Sequence, residues 1–258
     1  MQLTGKRLML GSASHDFREI AKTMRPRVAT QKARYRMDWL RFVRGVEVTP
    51  YPNLVRLGSD YGGWTVPADL IRPDWICYSG GVGRDISFDL ELIQRFGCEV
   101  WAFDPIPAAA AYAEREGSVD GFHFLPYGIW SEDTEQKFYA PLDHEHVSHS
   151  IDNLQHTNRY VLAQCRSLPS LMAELGHARV DLLKLDIEGA EYAALEAVVR
   201  GRVVPRVLCV EFHRLSSVNQ MLEAVDRLMS AGWTPVYLNR SDMTLLRHET
   251  RCDNESKE

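Results

Sequence analysis

The stretch DWICYSGGVGRDISFDLELIQRFGCEVWAFD, residues 74–104, decides the fold. It opens on DWICYS (74–79), a short apolar run with the length and composition of a buried strand. Gly80, Gly81 and Gly83 follow within SGGVGRD (79–85). Glycine adopts backbone conformations closed to other residues, so this segment reads as a tight turn along which a ligand can approach the main chain. In ISFDLELIQRF (86–96) the apolar residues at 86, 90, 93 and 96 recur at roughly helical spacing, and Gly97 stands where a helix would stop. CEVWAFD (98–104) is a second strand and ends in Asp104.

The alternation continues downstream. AAAAYAERE (108–116) is a second helix, FHFLPYGIW (122–130) holds a third strand, and KFYA (137–140) reads as another. LPSLMAEL (168–175) is a helix, VDLLKLD (180–186) a strand, GAEYAALEAVVR (189–200) a helix and RVLCVEF (206–212) a strand. SSVNQMLEAVDRLMSAG (216–232) is a helix ending at Gly232. TPVYLN (234–239) and MTLLRH (243–248) are closing strands joined only by RSD, so they must be antiparallel. Strands alternating with helices argue for a parallel sheet covered on both faces. The expected fold is therefore α/β and Rossmann-like: a mostly parallel sheet with an antiparallel last strand, the outline of a class I methyltransferase.

Around this core the chain divides into a basic, helical N-terminal arm (1–60), the sheet domain (61–248) and a flexible polar tail (249–258). The arm carries twelve Lys/Arg against five Asp/Glu, densest over 22–45, although the whole chain of 258 residues has a net charge of −5. A solvated helix face accounts for this. A surface for an anionic substrate, a lipid headgroup or an acidic partner is the alternative, and such an arm can also pair subunits into a homo-oligomer. No nucleic acid is expected, because the overall pI is near 6 and no binding motif occurs. No apolar run approaches the length of a membrane span, and no signal peptide is read at the N-terminus. The five cysteines, Cys77, Cys98, Cys165, Cys209 and Cys252, are scattered without a C-x-x-C pair, which suits a reducing cytoplasm.

The glycine turn and Asp104 together suggest a nucleotide site. Asp104 ends the next strand, 21 residues after Gly83, where an acid can accept both hydroxyls of a ribose. Ile86 occupies the third glycine position of a dinucleotide-binding motif, which argues against NAD. Asp85 beside the turn suits an ammonium better than a pyrophosphate, and this favours S-adenosylmethionine. A second constellation lies in LLKLDIEGAEY (182–192). Asp186 ends one central strand, and Glu211 and His213 end the next, so they should meet in one crevice beyond the strand ends. Two carboxylates and an imidazole can hold Mg²⁺ or a similar hard cation, or can deprotonate a hydroxyl. Glu188 is expected at the rim of this crevice as a substrate-binding group, and Glu191 as support for the helix start. Lys184 is expected to balance the acids or to reach the surface. Zinc is not expected on His144, His146, His149 and His156 of the long polar loop 141–160, which reads instead as a lid using Ser148 and Ser150. Gly128 and Ile129 are expected to frame an adenine.

YGGW (61–64), YSGGVGRDISFD, VWAFDPIP, VSHSI (147–151) and LLKLDIEGAEY, followed by VEFH (210–213), resemble the FkbM-type methyltransferase family over roughly residues 60–215. The resemblance implies a class I methyltransferase fold, S-adenosylmethionine as donor, and O-methylation of a sugar or secondary metabolite. N-methylation of a small molecule and a catalytically inactive cofactor-binding protein are the alternatives. The residues expected at the cofactor are Tyr61, Gly62, Ser79, Gly80, Gly81, Val82, Gly83, Asp85, Asp104, Pro105, Gly128, Ile129, Ser150 and Asp186. Asp186, Glu188 and His213 are expected to carry catalysis, and Asp186, Glu211 and His213 any metal. Many members have an Asp and a Gly where this chain has Cys77 and Ser79, so the amino-acid end of the cofactor would lean on Asp85 and Ser79.

Overall fold

The computed structural model of the chain describes residues 42, 44–140, 149–151, 157–213 and 218–248. The helical stretch of the arm through residue 41, Ser148, the histidines 144, 146 and 156, Cys252 and the tail 249–258 lie outside the described residues. The chain divides at residue 41, and all that follows concerns residues 42–258.

Twelve strands and five helices are described. β1 (Leu54–Leu57) and β2 (Trp64–Pro67) form an antiparallel hairpin within and just after the segment read as the arm. β3 (Ile76–Gly80), helix α1 (Ser87–Phe96) and β4 (Glu99–Phe103) realise the unit from which the reading began. Its boundaries have local causes. Asp85 Oδ1 accepts the Ser87 N–H at 2.8 Å and so caps the start of α1. Gly97, at φ 72°, returns its N–H to Ile93 O and ends that helix. Then follow α2 (Pro107–Glu116), β5 (Phe122–Leu125), β6 (Gly128–Trp130), β7 (Thr134–Tyr139), β8 (Tyr160–Ser167) and α3 (Leu168–Leu175). The chain continues through β9 (Leu182–Leu185), α4 (Glu191–Val199), β10 (Val207–Glu211), α5 (Val218–Ser230), β11 (Trp233–Asn239) and β12 (Asp242–Arg247).

The main sheet has seven strands in the order β11-β12-β10-β9-β3-β4-β5. β3 is parallel to β4 and β9, β4 to β5, and β9 to β10, while β12 runs antiparallel to both of its neighbours. The mixed α/β sheet and its reversed last strand agree with the sequence. β9 lies at the centre and all four of its residues are buried, which explains an apolar run without alternation.

Two details differ from the expectation. FHFLPYGIW is two strands, not one. Tyr127 N bonds back to Leu125 O, and the chain leaves the main sheet after β5. β6 then joins β8 and β7 in a separate three-stranded sheet. β8 itself was missed: YVLAQCRS exposes one face, and its mixed polar sequence lacks the apolar run of a doubly covered strand. Among the described residues no helix is long and apolar enough to cross a membrane.

Candidate active site

β3, β4, β9 and β10 all end at the same edge of the sheet, and the segments that follow them line one cavity of about 680 Å³. One end of it is the glycine turn. Gly81 has φ +84° and approaches the end of β9 so closely that a Cβ would fall 1.7 Å from Asp186 O. Only glycine fits there without displacing a strand end.

The turn is tied from both sides. Lys184, 3% exposed, donates from Nζ to Gly81 O at 2.7 Å. It does not reach the surface; it anchors the turn from the strand beneath. Asp104 accepts the N–H groups of Val82 (3.0 Å) and Gly83 (2.9 Å) on Oδ2 and that of Ile106 (2.9 Å) on Oδ1. It lines the cavity, but its carboxylate also clasps the loop it was expected to face. Burial raises its pKa, against those three hydrogen bonds. Asp85 bonds the Ser59 hydroxyl as well as Ser87 N. Burial opposes its charge, yet the bonds from Ser59 and Ser87 outweigh it and hold the pKa below the ordinary value, so an anion faces the cavity.

Tyr61, Gly62, Val82, Pro105, Gly128 and Ile129 line the cavity. Ser79 and Gly80 do not. Ser79 is 1% exposed beneath the turn, beside the buried Asp89. Ser150 is also outside the lining, since its hydroxyl donates to Glu188 O at 3.0 Å. The neighbouring His149 does line the cavity.

At the other end the carboxylates converge. His213 Nε2 lies 3.3 Å from Glu188 Oε2, 3.8 Å from Glu211 Oε1 and 4.0 Å from Asp186 Oδ1. Glu188 sits in the left-handed region at φ +50°, an uncommon conformation for a residue with a side chain. One ligand atom from each of Asp186, Glu211 and His213 lies within 4.8 Å of the others, so the trio named from the sequence does assemble.

So many acids change the site's protonation. Burial and the neighbouring Asp186 push Glu211 up to about 8. For His213, burial disfavours the charge, but the hydrogen bond to Glu191 and the charges of Glu191, Glu188 and Glu211 prevail and raise it to about 11. The imidazole therefore carries a proton that the surrounding acids hold in place.

Some lining residues carried no sequence signal. Asp242 pairs in register with Glu211 across β12 and β10, and Tyr237 and Asn239 join it from the same hairpin. Arg56 enters from β1, held by the carbonyls of Ser59 and Asp60 at 3.1 Å each. All come from segments brought to the cavity by strand order, and only the glycine turn and the strand-end acids have a local pattern.

A family model described as the methyltransferase FkbM domain matches residues 81–232. Among solved structures the chain is similar to an rRNA methylase from Streptococcus thermophilus, with 12% identity and a TM-score of 0.37 over 69% of this chain and 88% of that one. It is similar to a precorrin-6y C5,15-methyltransferase from Geobacter metallireducens with the same identity and TM-score, over 69% of this chain and 84% of the other. No match was found among curated proteins.

Proposed function

Because the chain belongs to the FkbM methyltransferase domain family, we propose that it moves a methyl group from S-adenosylmethionine to a hydroxyl of a small polar acceptor. Family membership makes the chain a methyltransferase and implies that donor. The observation that carries the rest is a single cavity with a glycine turn at one end and Asp186, Glu188, Glu211 and His213 at the other.

The bound donor would supply an electrophilic methyl on a sulfonium. The chain's own residues then have two tasks. The turn, with Asp85 and Asp104, holds the donor, and anionic Asp85 suits its ammonium. The crevice orients the acceptor and takes its proton as the C–O bond forms. Tyr61, Tyr237, Asn239 and Arg56 add polar groups to the lining, which favours a polar, sugar-like acceptor over an apolar one.

Two devices could discharge the hydroxyl. The acids can act directly, with His213 as partner. Alternatively, a divalent cation such as Mg²⁺ can occupy the oxygen-rich trio Asp186, Glu211 and His213, whose donor atoms are close enough to share one ion. A cation would also relieve the repulsion that raises Glu211.

Asp186→Asn keeps shape and removes charge. Donor binding should survive while turnover falls by about 10²–10⁴. Turnover is read as S-adenosylhomocysteine release with monosaccharides and small polyols as acceptors. Loss of activity in EDTA with recovery in Mg²⁺ selects the cation, and indifference to EDTA selects the direct acid–base route. Near-normal turnover in both Asp186→Asn and Glu211→Gln would sink this reading.

A further inference from the structure

We propose that Glu191 is a positioning residue: it fixes the ring of His213 so that Nε2, and not Nδ1, serves the acceptor end of the cavity. This rests on the reading that the acceptor meets that crevice. Sequence reasoning had given Glu191 only the start of α4 to support.

The geometry asks more of it. Glu191 is 0% exposed and does not line the cavity. A carboxylate so deeply removed from water is costly unless its oxygens are fully engaged. Oε1 accepts the N–H of Ile187 at 3.0 Å, and Gly189 N lies 2.9 Å from Oε2 and 3.2 Å from Oε1. Those bonds cap the turn and would suffice for a helix start. The remaining bond leaves the turn altogether: Oε1 lies 2.8 Å from Nδ1 of His213, 22 residues away at the end of the next strand.

One buried carboxylate thus joins the two strand ends that form the crevice. The amides it gathers flank Glu188, the residue held at φ +50°. The ring it gathers turns its other nitrogen toward Glu188, Glu211 and Asp186. An acidic acceptor at Nδ1 keeps a proton on that nitrogen and leaves Nε2 to work. The backbone of His213 is fixed as well, because Tyr192 Oη donates to its carbonyl at 3.2 Å.

Glu191→Gln tests this. Oε1 serves both Ile187 N and His213 Nδ1, so an amide oxygen in that position keeps both bonds but replaces the charged acceptor at Nδ1 with a neutral, weaker one. In ¹⁵N-histidine-labelled chain saturated with S-adenosylhomocysteine, Nδ1 of His213 should carry a proton with the far-downfield ¹H shift of a bond to a carboxylate in the wild type, and that shift should move upfield in the variant. Affinity for S-adenosylhomocysteine should be unchanged, while kcat falls about 10- to 100-fold with the monosaccharide and polyol panel. In a His213→Gln background, Glu191→Gln should lower kcat no further.

A bare Nδ1 in the wild type overturns the proposal, and this measurement decides even if the variant does not fold. A variant with reduced Tm but an unaltered His213 signal and unaltered kcat overturns it too, leaving Glu191 as helix support. If the wild type turns over no hydroxyl acceptor, the proposed reaction fails, while the ring-nitrogen signal still judges Glu191.

Discussion

Replacing Gly81 by alanine should damage the protein more than the same change at Gly83, although both glycines have positive φ. At Gly83 (φ +53°) nothing lies within 4 Å of a built Cβ, so alanine there meets only the left-handed penalty, about 1–2 kcal/mol. At Gly81 (φ +84°) the same penalty applies, and the Cβ also falls 1.7 Å from Asp186 O, a backbone atom that cannot rotate away. Relief requires moving the turn off β9, against the bond from Gly81 N to Phe103 O (2.9 Å) and that from Lys184 (2.7 Å). Overpacking of this kind adds about 1–3 kcal/mol, for a total of roughly 2–5 kcal/mol at Gly81. In a domain of this size each kcal/mol moves Tm by about 2–4 °C, so Gly81→Ala should lose roughly 4–20 °C. Thermal unfolding of the two variants side by side is the stability assay. Calorimetric titration with S-adenosylhomocysteine reports the displaced turn as a loss of affinity of at least about tenfold, worth about 1.4 kcal/mol. Equal Tm values for the two variants, or a Gly81→Ala protein that binds as tightly as wild type, would refute the argument that this close approach shapes the site.

Asp104→Ala should weaken donor binding and lower Tm together, because it orphans the N–H groups of Val82, Gly83 and Ile106. Charged hydrogen bonds contribute about 1.5–3 kcal/mol each, and a variant with wild-type Tm but weakened binding would return Asp104 to a purely ligand-facing role. Stability of the EDTA-treated chain should fall as pH rises from 6 to 9. Glu211, raised to about 8, keeps in the folded state a proton that the unfolded chain releases above about 4.5, so it costs stability progressively across that window. His213, raised to about 11, adds stability that is complete below 6.5 and fades as pH climbs toward 11. Tm measured across this range should decline, with a shallower slope in Glu211→Gln, and a Tm that rises with pH would contradict both assignments.

The converging acids also account for an abrupt feature of the chain, an apolar run that ends in LDIEGAE. Leu182, Leu183 and Leu185 are buried because β9 is covered on both faces, and the acids begin where the strand leaves that cover. Asp186 and Glu188 turn toward the cavity, whereas Glu191 turns inward to the backbone amides and to His213.

Much of this was legible in residues 74–104 and 180–213. Periodicity and glycine placement are local properties, and they suffice for the order of strands and helices, the glycine turn, and acids at the ends of two neighbouring central strands. They also carry the reversed last strand, since three turn residues leave no room for a crossover. What needed the tertiary structure was every assignment that depends on which way a side chain points and what meets it there. Asp104 was read as facing a ribose, and its carboxylate also holds the backbone amides of Val82, Gly83 and Ile106. Lys184 was read as charge balance for the acids or a surface group, and it anchors the glycine turn from below. Ser79 was read as cofactor-facing, and lies buried under the floor. Glu191 was read as helix support, and reaches a histidine 22 positions away. Asp242 and Arg56 had no local signal at all, because strand order and sheet register alone bring them to the cavity. Residue type and spacing determine which chemistry a strand end can offer. Which oxygen faces the ligand and which is spent on the protein's own amides depends on partners distant in the chain, and folding alone supplies them.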